Sequence, residues 1–186
     1  MIPFDTLSLF FAASVALALA PGPDNIFVLT QSALHGRLSG LIVTLGLCTG
    51  LLVHTAAVSL GVAAIVQTSP LAFNALKAIG ATYLLYLAWH AFRAGAAQLS
   101  ARGSSSLSRR KLYSRGILMN VTNPKVAIFF LAFLPQFANP SNGSLALQMI
   151  SLGAVFMLAA LIVFGAIAWA AGFIGNWLKR SQLRKS

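Results

Sequence analysis

Two charged side chains lie inside apolar stretches of the sequence, where a charge is expensive. Asp24 lies within the apolar residues 7–34, and Lys125 lies within the apolar residues 116–137. In a membrane, each would cost on the order of 3 kcal/mol at a helix centre unless it faced a partner or a polar cavity. Two opposite charges at similar depth therefore predict one shared polar cavity, in which they pair directly or through a small charged solute.

Prolines interrupt the chain beside both charges. Pro21, Pro23 and Pro124 each remove a backbone N–H and crowd the carbonyl four residues earlier, and Gly22 allows a sharp turn. A broken helix in an apolar phase leaves bare N–H and C=O groups, which are tolerated only where protein or a watery cavity covers them. We call these interruptions the first break (residues 20–25) and the second break (residues 120–125).

Six polar residues in and near the breaks form the candidate substrate-binding and coupling set: Asp24, Asn25, His54, Asn120, Asn123 and Lys125. Each also has a purely structural interpretation. Asp24 can cap the helix that starts after the first break, His54 can bond to a neighbouring backbone group or hydroxyl, and Lys125 can bond to carbonyls that a break exposes. The sequence leaves both interpretations open.

The amino-acid composition indicates the environment in which the chain folds. The chain is 58% hydrophobic and 8% charged with a mean hydropathy of +0.83, which indicates an integral membrane protein. The net charge of +11 comes from basic residues at segment ends, a pattern of membrane topology and not of nucleic-acid binding. We find no nucleotide-binding Gly-Lys motif, metal cluster or catalytic triad, so neither an enzyme, an ATP-driven pump, a metal nor a cofactor is predicted.

The predicted fold is all-α, a polytopic bundle of five spans in one transmembrane domain over residues 1–186. The spans cover residues 7–34, 38–66, 71–92, 116–137 and 145–177, and a basic linker covers residues 93–115. A cleaved signal peptide over residues 1–20 is disfavoured because this segment contains Asp5 and no basic residue. In the second span, one helical stripe that favours close helix contact carries Gly46, Gly50, His54, Ala57 and Gly61.

Basic residues predict the orientation. Arg37, the linker and the tail at residues 179–186 fall on one side of the membrane if the spans alternate, and the opposite turns carry no charge. The positive-inside rule places that side in the cytoplasm and the N-terminus outside. Because broken spans open each half of the chain, we expect two inverted three-helix repeats with a site at their interface. A sixth span would then be expected after Ser186.

Several ordered motifs resemble one family. They are Ala20-Pro21-Gly22-Pro23-Asp24-Asn25, Ser32-Ala33-Leu34-His35-Gly36-Arg37, Gly50-Leu51-Leu52-Val53-His54, Tyr83-Leu84-Leu85-Tyr86-Leu87-Ala88-Trp89, and Asn123-Pro124-Lys125 followed by Phe129-Phe130-Leu131-Ala132-Phe133-Leu134-Pro135-Gln136-Phe137. Over residues 5–178 the chain is similar to the lysine exporter (LysE) family, in its homoserine/threonine-efflux (RhtB) branch.

The resemblance implies a bacterial inner-membrane exporter of amino acids, driven by proton exchange, with six helices. In an exporter of this kind, Asp24 would pair with the substrate ammonium or take the counter-moving proton. Asn25, Asn120 and Asn123 would supply hydrogen bonds, and Lys125 would balance charge. The expected partners are the amino acid, protons and the lipid bilayer, and the glycine-lined helices make a homo-oligomer plausible.

Two other classes were weighed. A transmembrane thiol-disulfide carrier needs a cysteine pair, and the chain has only Cys48. A non-transporting truncated membrane protein or assembly scaffold is favoured by the absent sixth span. Amino-acid efflux from loaded cells or proteoliposomes separates the scaffold from the exporter.

Overall fold

The computed structural model describes residues 2–62, 69–93 and 107–183, and in these ranges all regular structure is helical. The helices are α1 (Phe4–Leu19), α2 (Pro23–His35), α3 (Arg37–Ala57), α4 (Pro70–Arg93), α5 (Arg109–Val121), α6 (Pro124–Ile128) and α7 (Leu145–Leu183). A π-helical turn, Val58–Val62, extends α3, and a second one, Phe129–Phe133, follows α6. Short 3-10 turns at Leu134–Phe137 and Pro140–Asn142 lead to α7. The predicted all-α fold is confirmed.

The chain bends at both predicted breaks. The chain turns by 63° between α1 and α2, and by 49° between α5 and the helical segment Pro124–Phe137. Within the described residues, three helices are long and apolar enough to cross a membrane, or up to five if each bent pair is one span. The protein is therefore a multi-pass membrane protein, and the upper count equals the five predicted spans.

Glycines let α3 approach its neighbours closely. A Cβ atom at Gly116 of α5 would lie 2.6 Å from the backbone oxygen of Val43, and one at Gly46 would also meet the α5 backbone. Gly153 of α7 allows the same approach to Thr55. Not every glycine of the predicted stripe lies in a close helix contact, because a Cβ atom at Gly61 would meet nothing within 4 Å.

Phenylalanine rings fill the space beyond the second break. Phe129 packs against Phe10, Phe133 and Phe156 at ring-centroid distances of 5.8, 4.8 and 5.2 Å. Phe130 and Phe156 meet edge to face at 5.1 Å. This aromatic cluster joins α1, the π-helical turn and α7, and so holds the second break against the first half of the chain.

The predicted linker is too long at its C-terminal end. Helix α5 begins at Arg109, because the Ser108 hydroxyl accepts from the Lys111 backbone N–H at 3.4 Å and caps the helix. Residues 109–115 are therefore helical, and residues 94–106 lie outside the described residues. The basic tail is helical as far as Leu183, where α7 ends. The part of the second predicted span at residues 63–66 also lies outside the described residues.

Candidate functional site

Side chains satisfy the carbonyls that the first break exposes. The Lys125 ammonium donates to the backbone oxygens of Leu17 at 3.2 Å and Ala20 at 2.9 Å. The Asn25 side-chain amide donates to the backbone oxygen of Ala18 at 2.6 Å. These carbonyls end α1, where the helix dipole places partial negative charge, so a cation beside them is favourable. The structural interpretation of Lys125 is therefore correct in this conformation.

Gly22 provides the space for that ammonium. Its backbone is extended, with φ −173°, a conformation that any residue can adopt. A Cβ atom at this position would lie 3.1 Å from the Lys125 Nζ atom and 3.6 Å from its Cε atom. An added Cβ would therefore crowd the ammonium, so Gly22 favours close approach at the first break and is not needed for the backbone conformation.

The second break is held in a similar way from the first half of the chain. His54 of α3 bonds through Nε2 to the backbone oxygen of Asn120 at 3.1 Å. Because a carbonyl can only accept, this ring nitrogen carries the hydrogen. Asn123 caps α6, since its side-chain oxygen accepts from the Lys125 backbone N–H at 3.0 Å. Gly50 makes room here, because a Cβ atom on it would lie 2.8 Å from the Asn120 Cβ atom.

Asp24 lies in the first turn of α2 and is only 1% exposed. The N-cap of α2 is Gly22, and no side chain caps it, so the predicted capping role of Asp24 is not seen. Its carboxylate lies near the side-chain amides of Asn123 and Asn120 and within electrostatic range of Lys125 and His54. Its Oδ1 atom has no hydrogen-bond partner among the described residues. Because the Lys125 ammonium bonds to carbonyls instead, the two charges share one polar cluster without bonding directly.

Lys125 borders two cavities. A small cavity of about 10 Å³ touches Asp24, Asn120 and Lys125. A groove of about 840 Å³ lies between the first break and the C-terminal half of α4, and touches Lys125 and Asn123. The small cavity has room for roughly one water molecule. The groove has the size of a small-molecule site.

The structure buries all six candidate residues, from 1% exposure for Asp24 and Asn120 to 9% for Asn25. It brings Asp24, His54, Asn120, Asn123 and Lys125 into one electrostatic cluster, and it places Asn25 beside them at the first break. Among the described residues, no group of three or more His, Cys, Asp or Glu side chains could hold a metal ion.

Sequence reasoning missed two polar residues of α2. Gln31 is 4% exposed with an unpartnered Oε1 atom, and the Nε2 atom of His35 is likewise buried without a partner among the described residues. Both lie on the face of α2 that carries Asp24, because offsets of 7 and 11 residues are close to whole helical turns. That spacing was the signal that could have identified them.

Two broken helices around a polar cluster are the arrangement that many secondary transporters use for their sites, and comparison with known proteins identifies the class of this protein. The family model described as LysE type translocator matches residues 15–186. The chain therefore belongs to the LysE family of translocators, which are transporters and not enzymes.

Relatives match over most of their length. The chain is 34% identical over 177 residues to the homoserine/homoserine lactone efflux protein of Salmonella typhimurium, covering 95% of this chain and 85% of that protein. It is 29% identical over 170 residues to the leucine efflux protein of an Enterobacter species, covering 89% and 79%. An uncharacterized membrane protein of Bacillus subtilis is 28% identical over 189 residues, covering 97% and 90%. No solved structure matches the chain.

Proposed function

We propose that the protein exports amino acids across the bacterial inner membrane in exchange for protons. Membership of the LysE family and the printed names of two efflux relatives support amino-acid export. The observation that carries the proton part is Asp24, a carboxylate 1% exposed in the middle of a broken span. Ionisable groups in such positions mark ion and proton pathways.

The two cavities support different roles for the two charges. Asp24 touches the cavity of about 10 Å³, which admits a proton or a water molecule and excludes an amino acid. Lys125 also borders the groove, where a substrate has room. We therefore assign proton binding to Asp24 and the substrate carboxylate to Lys125. Asn25, Asn120, Asn123 and His54 hold the breaks in place around them.

Exchange between the two sides would come from movement of one half of the chain against the other. In inverted repeats with broken helices, alternating access moves one repeat around a site at their interface. The proposed orientation has the N-terminus in the periplasm and the basic tail in the cytoplasm, as the distribution of Lys and Arg favours.

Asp24→Asn tests the proton role, and the chain supplies a matched control. Its only other acidic residue is Asp5, which is exposed at the start of α1. In proteoliposomes, Asp24→Asn is expected to abolish amino-acid movement driven by a pH gradient, whereas exchange of labelled for unlabelled substrate persists. Asp5→Asn is expected to leave both unchanged. Undiminished pH-driven transport by a well-inserted Asp24→Asn protein would contradict the proton role.

A further inference from the structure

The walls of the groove are almost entirely apolar. Phe129 and Phe133 form one wall, Leu84 and Leu87 of α4 form another, and the small residues Ala13 and Ala16 of α1 face them. The two phenylalanine rings belong to the aromatic cluster described above, where Phe129 packs against Phe133 and Phe156. A bulky apolar group can therefore lie between the rings and the side chains of Leu84 and Leu87, and the polar side chain on the α4 wall is that of His90.

Polar groups gather at the end of the groove beside the breaks. There the groove touches Asn123 and Lys125, and Lys125 is 8% exposed. A lysine ammonium has three N–H donors. Leu17 and Ala20 carbonyls take two of them, which leaves the third for a bound carboxylate.

We propose that the groove is the side-chain subsite of the transporter, and that its substrates are amino acids with long apolar side chains. This inference rests on the proposed function and adds the class of amino acid. The substrate carboxylate bonds to Lys125 at the polar end, and the side chain lies along Phe129, Phe133 and Leu84. The ligand that fits is thus polar at one end only.

Charge favours an amino acid over a lipid chain in this position. Among the described residues that line the groove, the one ammonium belongs to Lys125, which lies in the interior of the bent segment Arg109–Phe137 and not at its end. A carboxylate there forms a charge-assisted bond in a low-dielectric site. An acyl chain would offer the ammonium no partner, so a lipid gains only the apolar contacts that a bulky side chain also makes.

A series of amino acids with increasing side-chain length measures how much apolar surface the subsite buries. Alanine, 2-aminobutyrate, norvaline and norleucine compete for counterflow of labelled norleucine in proteoliposomes containing the full chain. Each added methylene that the groove buries should raise apparent affinity about four-fold, and so about 60-fold from alanine to norleucine. Pentylamine, which is norleucine without its carboxylate, should compete far more weakly. Equal competition along the series, or by pentylamine, would overturn the proposal.

Ala16→Phe places a ring inside the groove and supplies the second test. Ala154→Phe is the matched control, because Ala154 is exposed on α7 and does not line the groove. Ala16→Phe should lower competition by norleucine more than competition by alanine, and so flatten the dependence on chain length, because the ring occupies the space of the substrate side chain. Ala154→Phe should behave as the unsubstituted protein.

The remaining outcomes of this test each contradict the proposal. Equal loss of alanine and norleucine exchange in Ala16→Phe would show that the groove does not select side chains. A length dependence that survives Ala16→Phe, together with loss of a bound phospholipid in native mass spectrometry, would assign the groove to lipid. If the unsubstituted protein exchanges no amino acid at all, the proposed function itself fails, and this result is distinct from a failure of the subsite.

Discussion

Replacing Lys125 with methionine tests how the first break is held together. The change removes the donor to the Leu17 and Ala20 carbonyls while it keeps a flexible side chain of similar length. Bonds between helices in membranes are worth about 0.6 kcal/mol on average and up to about 1.7 kcal/mol. Charged donors belong at the upper end of that range. The expected loss is therefore about 3 kcal/mol for the two bonds.

Thermal unfolding in detergent measures this loss. For a chain of this size, about 3 kcal/mol corresponds to a melting temperature lower by about 6–12 °C. Lys111→Met is the control, because Lys111 is exposed on α5 and its substitution should change stability by less than about 0.5 kcal/mol. Hydrogen exchange of the amides around the first break should also quicken in Lys125→Met alone. Equal melting temperatures for the two variants, with unchanged exchange, would refute the reasoning.

Two further predictions concern packing and buried polarity. Gly116→Val should destabilise the protein by about 1–3 kcal/mol, because its side chain meets the Val43 backbone. Gly165→Val should be neutral, since a Cβ atom there meets nothing within 4 Å. Gln31→Leu should be neutral or raise the melting temperature, because it removes an unpartnered amide oxygen, whereas Gln148→Leu should lower it by losing three hydrogen bonds. Equal effects within either pair would contradict these assignments.

The sequence predicted the features that depend on local chemistry. Prolines beside Asp24 and Lys125 identified both bends, because loss of a backbone N–H breaks a helix wherever it occurs. The cluster of polar residues at the breaks followed from the cost of leaving them in lipid.

The sequence did not predict the features that depend on how the helices pack. Nothing in the sequence shows that the Lys125 ammonium bonds to carbonyls of α1, more than 100 residues earlier, and not to Asp24. The start of α5 was placed late because basic residues at 109–115 resemble a solvated linker, although the Ser108 cap was visible. Roles within the site remain predictions for the same reason, since they depend on which cavity each side chain borders.

Each break is held by a hydrogen bond from the opposite half of the chain. Lys125, in the second half of the chain, bonds to the carbonyls of the first break, and His54, in the first half, bonds to the Asn120 carbonyl of the second. Straightening either break releases a bond made by the opposite half of the chain, so the two breaks are expected to move together. Second-site suppressors of a damaged Pro21 or Gly22 should accordingly arise around residue 125, in the other half of the chain and far away along the gene.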